Sequence, residues 1–202
     1  MSLVGVVSKE IAGRFRLLQE GFRPLQNVTD LISTLEYFMF FVQREQAEEQ
    51  PSWKQVIPYV VLAKGDQVYV TERLDGEPRL IGKLSVGLGG HVEALDAEEH
   101  IKGCVDRCMQ RELTEEANIT TSSTPKPIGI VYNPNSDVSL VHLGIVYLYE
   151  LGVNDTVSIK ETDKLKGFFA KPAEVDLQSA EGWSVPILKF LMHQEENGEK
   201  KI

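Results

Sequence analysis

The sequence predicts an α/β fold of the α+β kind, a mixed β-sheet flanked by helices, with an N-terminal helical extension. Three observations predict it. Apolar runs bounded by turn residues mark strands on both sides of residues 89–118. A long helical segment lies between those strands, and a second helix closes the chain. Each sheet face and each amphipathic helix must bury its apolar side, which helices packed on a sheet achieve.

Taken in order, residues 4–7 read as a short strand. From Thr29 a helix is expected, because Leu31, Ile32, Leu35, Phe38, Met39 and Val42 recur at helical spacing. Asn27 or Thr29 would cap it. The polar residues 43–52, with Pro51, read as a connection. Residues 56–63 are an apolar run and 67–71 alternate, with Lys64-Gly65-Asp66 between them as a hairpin turn. Residues 84–88 are a third strand. A long helical segment follows, ending near Asn118. Residues 127–132 and 138–148 are two more strands, joined by the turn-rich Asn133-Pro134-Asn135-Ser136-Asp137. Residues 167–170 are a short strand, 172–175 a helical turn, and 181–194 a terminal helix packed by Trp183. The organisation expected is a segment of residues 1–53 packed on a main domain of residues 54–202.

Composition restricts the functions available. The 202 residues are 42% hydrophobic and 25% charged, as in a globular protein with a sizeable core. The net charge of −9 argues against a phosphate-binding surface for nucleic acid. It leaves room for a small anionic substrate held through a divalent cation. The strongest apolar run, residues 38–42, is too short to span a membrane, and there is no signal-peptide pattern. Cys104 and Cys108 are one helical turn apart and read as buried, reduced thiols, so a cytoplasmic setting is expected.

The chemistry sits in Gly89-Gly90-His91-Val92-Glu93-Ala94-Leu95-Asp96, fourteen further residues, then Arg111-Glu112-Leu113-Thr114-Glu115-Glu116-Ala117-Asn118-Ile119. On a helix, Glu112, Glu115 and Glu116 share one face. Three like charges repel, and near a helix C-terminus the macrodipole disfavours them further. A cation would relieve both penalties, and clustered carboxylates suit Mg²⁺ or Mn²⁺. Arg111 could hold a carboxylate at two points. Gly89-Gly90 lets backbone approach a ligand closely. The alternative reading is a solvated acidic helix end.

This stretch resembles the box of the Nudix family: a glycine, five residues, a glutamate, seven residues, then Arg-Glu-apolar-any-Glu-Glu-any-Gly-apolar. Gly90 matches the first glycine, and residues 111–119 match the end. The resemblance covers residues 54–195. There are three departures. Asp96 stands where the family has its first glutamate, and Asp96-Ala97-Glu98-Glu99 also reads as a helix capping box. Fourteen residues replace seven, with Gly103 among them, so the insertion is helix or loop. Asn118 stands for the last glycine; Asn also tolerates the left-handed cap conformation.

The resemblance implies a divalent-metal-dependent hydrolase that cleaves a diphosphate bond, using water activated by Mg²⁺ or Mn²⁺. Glu112 and Glu116 would be the principal ligands, Glu115 a further ligand or a group orienting the water, and the Gly90 carbonyl would complete the site. Arg111 would support it electrostatically. A carboxylate outside the box often serves such enzymes; Glu161, Asp163 and Glu174 are candidates. Arg73, Lys83 and His91 are candidates for substrate binding, each with a bland reading as an ordinary surface or loop residue; His142 reads as packed and hydrogen-bonded. The substrate implied is small, phosphorylated and nucleotide-derived. Residues 1–53 could form a lid, a homodimer contact or extra packing. Because capping competes with catalysis at Asp96, Asp96→Asn is expected to keep most activity. Two other functions are weighed. An isopentenyl-diphosphate isomerase would carry a cysteine where Gly89 stands, and a non-catalytic Nudix-like module would lose box carboxylates that this chain keeps.

Overall fold

The computed structural model describes residues 2–76 and 81–196. Its centre is β4 (Trp53–Lys64), a twelve-residue strand that is buried almost throughout. It pairs in parallel with β9 (His142–Leu151), in a register running from Gln55↔His142 to Lys64↔Leu151. On the other side it pairs antiparallel with β5 (Gln67–Arg73), through the turn expected at Gly65. Then come β11 (Leu165–Ala170) outside β5, β8 (Lys126–Tyr132) outside β9, and β2 (Gly21–Pro24) on β8. The short β6 (Leu84–Ser85) adds to β5. With β1 (Leu3–Ser8) and β3 (Phe40–Gln43), nine strands of the described residues make one mixed sheet.

Both faces of that sheet are covered, which is why residues 56–63 are continuously apolar rather than alternating. Val56, Val60 and Leu62 face one core. There they meet Leu35 of α2 (Val28–Phe38) and Cys104, Val105, Cys108 and Leu113 of α4 (Cys104–Glu116). Tyr59, Val61 and Ala63 face the other, against Ile187, Leu188 and Leu191 of α6 (Ser184–Glu196). The thiols of Cys104 and Cys108 are free and buried, and burial holds both pKa values above the usual range. A separate ribbon joins β7 (Ala117–Thr120) to β10 (Thr156–Ile159).

Several expected boundaries move. The helical stripe through Met39 and Val42 stops at Phe38. Met39 is extended, and residues 40–43 pair with β1 instead. An aromatic and β-branched run beside an available strand edge gains more from pairing than from another helical turn. The connection at 43–52 contains α3 (Arg44–Glu48). Four further elements were not read from sequence at all: α1 (Lys9–Arg14), capped by the Ser8 hydroxyl, β2, and the two strands of the ribbon, β7 and β10. The strand expected from 138 begins at His142, because Ser136 caps the short α5 (Asp137–Leu140) ahead of it. Of residues 84–88 only Leu84–Ser85 is strand, with Leu88 as an isolated bridge to Val60. The first 53 residues thus supply three strands of the sheet as well as helices; β1 pairs with β4, and β2 with β8.

Candidate active site

The site is built where the loop after β6 crosses β4. Leu88 and Val60 exchange backbone hydrogen bonds of 2.8 and 3.0 Å, fixing the loop on the strand. Gly89 has φ +149°, and a Cβ there would overlap the Pro58 carbonyl oxygen. At Gly90 the obstacle is different: a Cβ would lie 2.5 Å from the Glu112 carboxyl carbon. The glycine pair therefore lies flat against β4 on one side and against a carboxylate on the other.

α4 carries that carboxylate. Its N-cap is Gly103, at φ +82°, so the segment from Asp96 is not one helix: a 3-10 turn, Ala94–Ala97, is followed by a loop. The capping box expected at residues 96–99 is absent. Asp96 instead accepts from the Glu93 N–H at 2.8 Å, inside the 3-10 turn. It also receives Arg111 at two points, Nε to Oδ1 and Nη2 to Oδ2, each 2.9 Å. Arg111 donates further to the His91 carbonyl at 3.1 Å and to Glu112 at 2.6 Å. Asn118 does not adopt the left-handed cap. Ala117 is already extended and Asn118 pairs with Ser158 in the ribbon, so the helix runs straight into a strand.

Glu112 and Glu116 both turn to the glycine loop. Glu116 Oε2 accepts from the Gly89 N–H at 3.2 Å. Burial pushes the Glu116 pKa up to about 7; the negative charge of Glu112 adds to this, the Gly89 N–H opposes it, and Glu161 and Arg73 act in opposite senses. Burial also raises Glu112, against the pull of Arg111. Glu115 differs. Its side chain is 59% exposed and reaches Arg111 only at 3.4 Å.

Two partly buried carboxylates that repel each other beside a bent backbone suit a hard cation. Among the described residues no three His, Cys, Asp or Glu side chains already surround one metal position. Mg²⁺ does not need such a cage, since it usually takes one or two carboxylates and fills its octahedron with water and phosphate oxygens. Glu112 and Glu116 fit that requirement, with Glu115 exposed at its edge; the Gly90 carbonyl beside them accepts from the Cys108 thiol at 3.8 Å.

Of the carboxylates outside the box, Glu161 is brought close. The Lys160 N–H donates to the Glu116 carbonyl at 2.9 Å, which carries the loop before β11 to the end of α4. Glu161 itself pairs with Lys164 at 3.0 Å. Glu174 is engaged elsewhere, accepting from the Lys171 N–H in the 3-10 turn Pro172–Glu174. Asp163 acts on Lys164. Arg73, at the end of β5, lowers the pKa of Glu116 and of Glu181, and its Nε is buried with no hydrogen-bond partner among the described residues. Lys83 lowers Glu181 as well and donates to the Gln178 carbonyl at 3.3 Å. His91 turns its ring to His142, Nε2 to Nε2 at 3.1 Å, and burial pushes its pKa down to about 3.

Sequence reasoning missed Glu181, whose burial beside Arg73 and Lys83 raises its pKa. It also missed Glu36, 3% exposed, which accepts from the Gly103 N–H at 2.8 Å and from the Val105 N–H at 3.1 Å. A signal for Glu36 did exist: it falls on the apolar stripe of α2, between Ile32 and Met39, where a charge needs a partner.

No family model matches the chain. It is 33% identical over 172 residues to protein YmaB of Bacillus subtilis (strain 168), covering 81% of this chain and 84% of that protein. The structure of Tm1382, which carries a Nudix hydrolase assignment, superposes with a TM-score of 0.80. That match is 29% identical and covers 95% of this chain and 98% of the other. Two more distant structures share the fold. The MutT Nudix hydrolase of Burkholderia pseudomallei has a TM-score of 0.52 at 16% identity, over 67% of this chain and 96% of that one. The Nudix domain of Shewanella oneidensis NrtR, in complex with ADP-ribose, has a TM-score of 0.52 at 16% identity, over 71% and 88%.

Proposed function

We propose that the chain, a Nudix-type hydrolase by its likeness to Tm1382, cleaves a diphosphate bond in a nucleoside diphosphate-linked or related small substrate, using Mg²⁺ or Mn²⁺. The observation that carries this is the convergence of Glu112 and Glu116, one turn apart, on the Gly89-Gly90 backbone. A bound cation would polarise the phosphate oxygens and lower the pKa of a coordinated water.

The chain's own residues divide the remaining work. Glu112 and Glu116 would hold the cation, with the Gly90 carbonyl as a further ligand. Arg111, itself fixed by Asp96, keeps the Glu112 carboxylate from turning away. Glu115 is exposed enough to meet water or complete the ligand set, and Glu161 is the carboxylate from outside the box. Arg73, whose Nε has no hydrogen-bond partner among the described residues, and Lys83 would contact the phosphates. An ADP-ribose-like compound is a reasonable first probe, since a structural neighbour is seen with that ligand.

The test combines a substrate screen with thermal melting. Nucleoside diphosphate-linked compounds and dinucleoside polyphosphates are incubated with Mg²⁺ or Mn²⁺, and phosphate products are read. Glu112→Gln and Glu116→Gln should each lower turnover by about two orders of magnitude, as expected for losing a strong electrostatic contact. They should also shrink the stabilisation by metal seen in melting. Equal turnover and an equal metal response in wild type and both variants would make these carboxylates a solvated helix face.

A further inference from the structure

α4 places both proposed ligands, yet its own N-terminus has no side-chain cap. Gly103 has no side chain to offer, and its left-handed conformation turns the preceding loop sharply into the helix. The N–H groups of Gly103 and Val105 are satisfied from a distant part of the chain, by the two carboxylate oxygens of Glu36. Glu36 lies on α2 and is 3% exposed. A buried helix end left without partners would be costly, and an anion at that end also meets the positive pole of the macrodipole.

The same helix is held at further points, among them Arg107, which donates to the Asp96 carbonyl at 2.6 Å, and Glu116, which accepts from the Gly89 N–H at 3.2 Å. Tyr147 on β9 donates to Asp106 at 2.8 Å, one turn along. Asp96 holds Arg111 near the C-terminal half. Met39, one turn beyond Glu36 in sequence, takes the Cys104 thiol at 3.9 Å. Of these fixings only the Glu36 contact ties the start of α4 by two hydrogen bonds to the first 53 residues. Two hydrogen bonds at its start oppose sliding or rotation of this 13-residue helix, and either movement would carry Glu112 and Glu116 off the glycine loop.

We propose that Glu36 is a positioning residue for the active site: through the N-terminus of α4 it sets where Glu112 and Glu116 stand against Gly89-Gly90. The N-terminal segment is then part of the catalytic apparatus and not simply added packing. The inference rests on the metal-binding reading of those two carboxylates, and its test separates the two.

The experiment compares wild type with Glu36→Gln, Glu36→Ala and a control on the same helix face, Ile32→Val, which removes buried methylene without touching α4's N-terminus. Mn²⁺ alone is titrated at a temperature where every variant is folded, and amide hydrogen exchange is followed over peptides spanning α4. Glu36→Ala should weaken Mn²⁺ binding by about tenfold, which is ~1.4 kcal/mol, and speed exchange along α4 as far as Glu116. Glu36→Gln keeps one acceptor oxygen and should fall between. Ile32→Val should lower the melting temperature without changing Mn²⁺ affinity. If the Glu36 variants bind Mn²⁺ as wild type does, or if Ile32→Val weakens binding equally, the positioning role is overturned. If wild type itself binds no Mn²⁺, the metal reading fails, and exchange alone decides the inference: protection of the Glu112–Glu116 turn unchanged in Glu36→Ala overturns it, and protection lost there sustains it.

Discussion

Asp96 and Arg111 meet at two parallel points, each 2.9 Å, although they stand fifteen positions apart in sequence. The Asp96 side chain is 2% exposed in this pair, and Arg111 carries the contact onward to Glu112. The pair closes the long loop between the 3-10 turn and α4, so the insertion leaves the carboxylate face of the helix in register with the glycines. Aspartate, one methylene shorter than the family's glutamate, suffices because Arg111 reaches down to it.

The sequence-level expectation for Asp96→Asn changes accordingly. An amide would keep the Glu93 N–H satisfied but set an NH₂ group against the guanidinium. Breaking a buried pair on one side costs about 3–5 kcal/mol, and the lower end applies because Arg111 retains Glu112. We expect a clear loss in melting temperature and at least a tenfold fall in turnover (~1.4 kcal/mol in the barrier). Retention of most activity would return Asp96 to a capping role.

The two glycines should fail in different ways. Gly89→Ala forces a Cβ into the Pro58 carbonyl at a φ that L residues rarely adopt, so the variant should lose stability by about 2–4 kcal/mol, read in urea unfolding. Gly90→Ala meets only the end of the flexible Glu112 side chain, at 2.5 Å. It should remain folded, within about 1 kcal/mol of wild type, while Glu112 is displaced and metal stabilisation falls. The reverse ranking of stabilities would show that Gly90, not Gly89, carries the backbone constraint.

How much was legible follows from the kind of signal. The carboxylate face of α4 was readable because helical spacing alone places Glu112 and Glu116 together. The central strands were readable because a strand buried on both faces leaves an uninterrupted apolar run. What failed depended on partners distant in sequence. Residues 40–43 leave the helix to pair with β1, and α1 and β2 are too short to show periodicity. Glu36 and Glu181 are buried carboxylates outside the box, and no local pattern names the groups that a buried carboxylate will meet.

The N-terminal segment should resist separation. Its β1 pairs with β4, its β2 with β8, and its Glu36 caps α4. Removing it would uncap α4 and expose the apolar core under α2. Limited proteolysis followed by mass spectrometry should therefore yield no stable, soluble fragment beginning near residue 50. Rapid release of such a fragment would argue for a separable extension.

The last prediction concerns pH. In the metal-free protein the Glu116 pKa is pushed up to about 7 from an ordinary value of 4.5. The folded state then holds this proton more tightly than the unfolded state does. Stability from that proton is fully present below the unfolded pKa and is lost as pH rises through the folded one. In EDTA, wild type should thus lose stability between about pH 5 and about pH 8 relative to Glu116→Gln, which has no proton to lose. The two should melt alike near the acid limit, and the variant should be the more stable above neutrality. With Mn²⁺ the sign reverses, because the cation competes with the proton for the same carboxylate. Stabilisation by Mn²⁺ should grow as pH rises through about 7, and the variant should lack that growth. Melting curves across this range, with and without Mn²⁺, give both slopes in one set. Parallel curves for wild type and variant in EDTA would mean that Glu116 is ionised throughout, and that burial does not hold its proton.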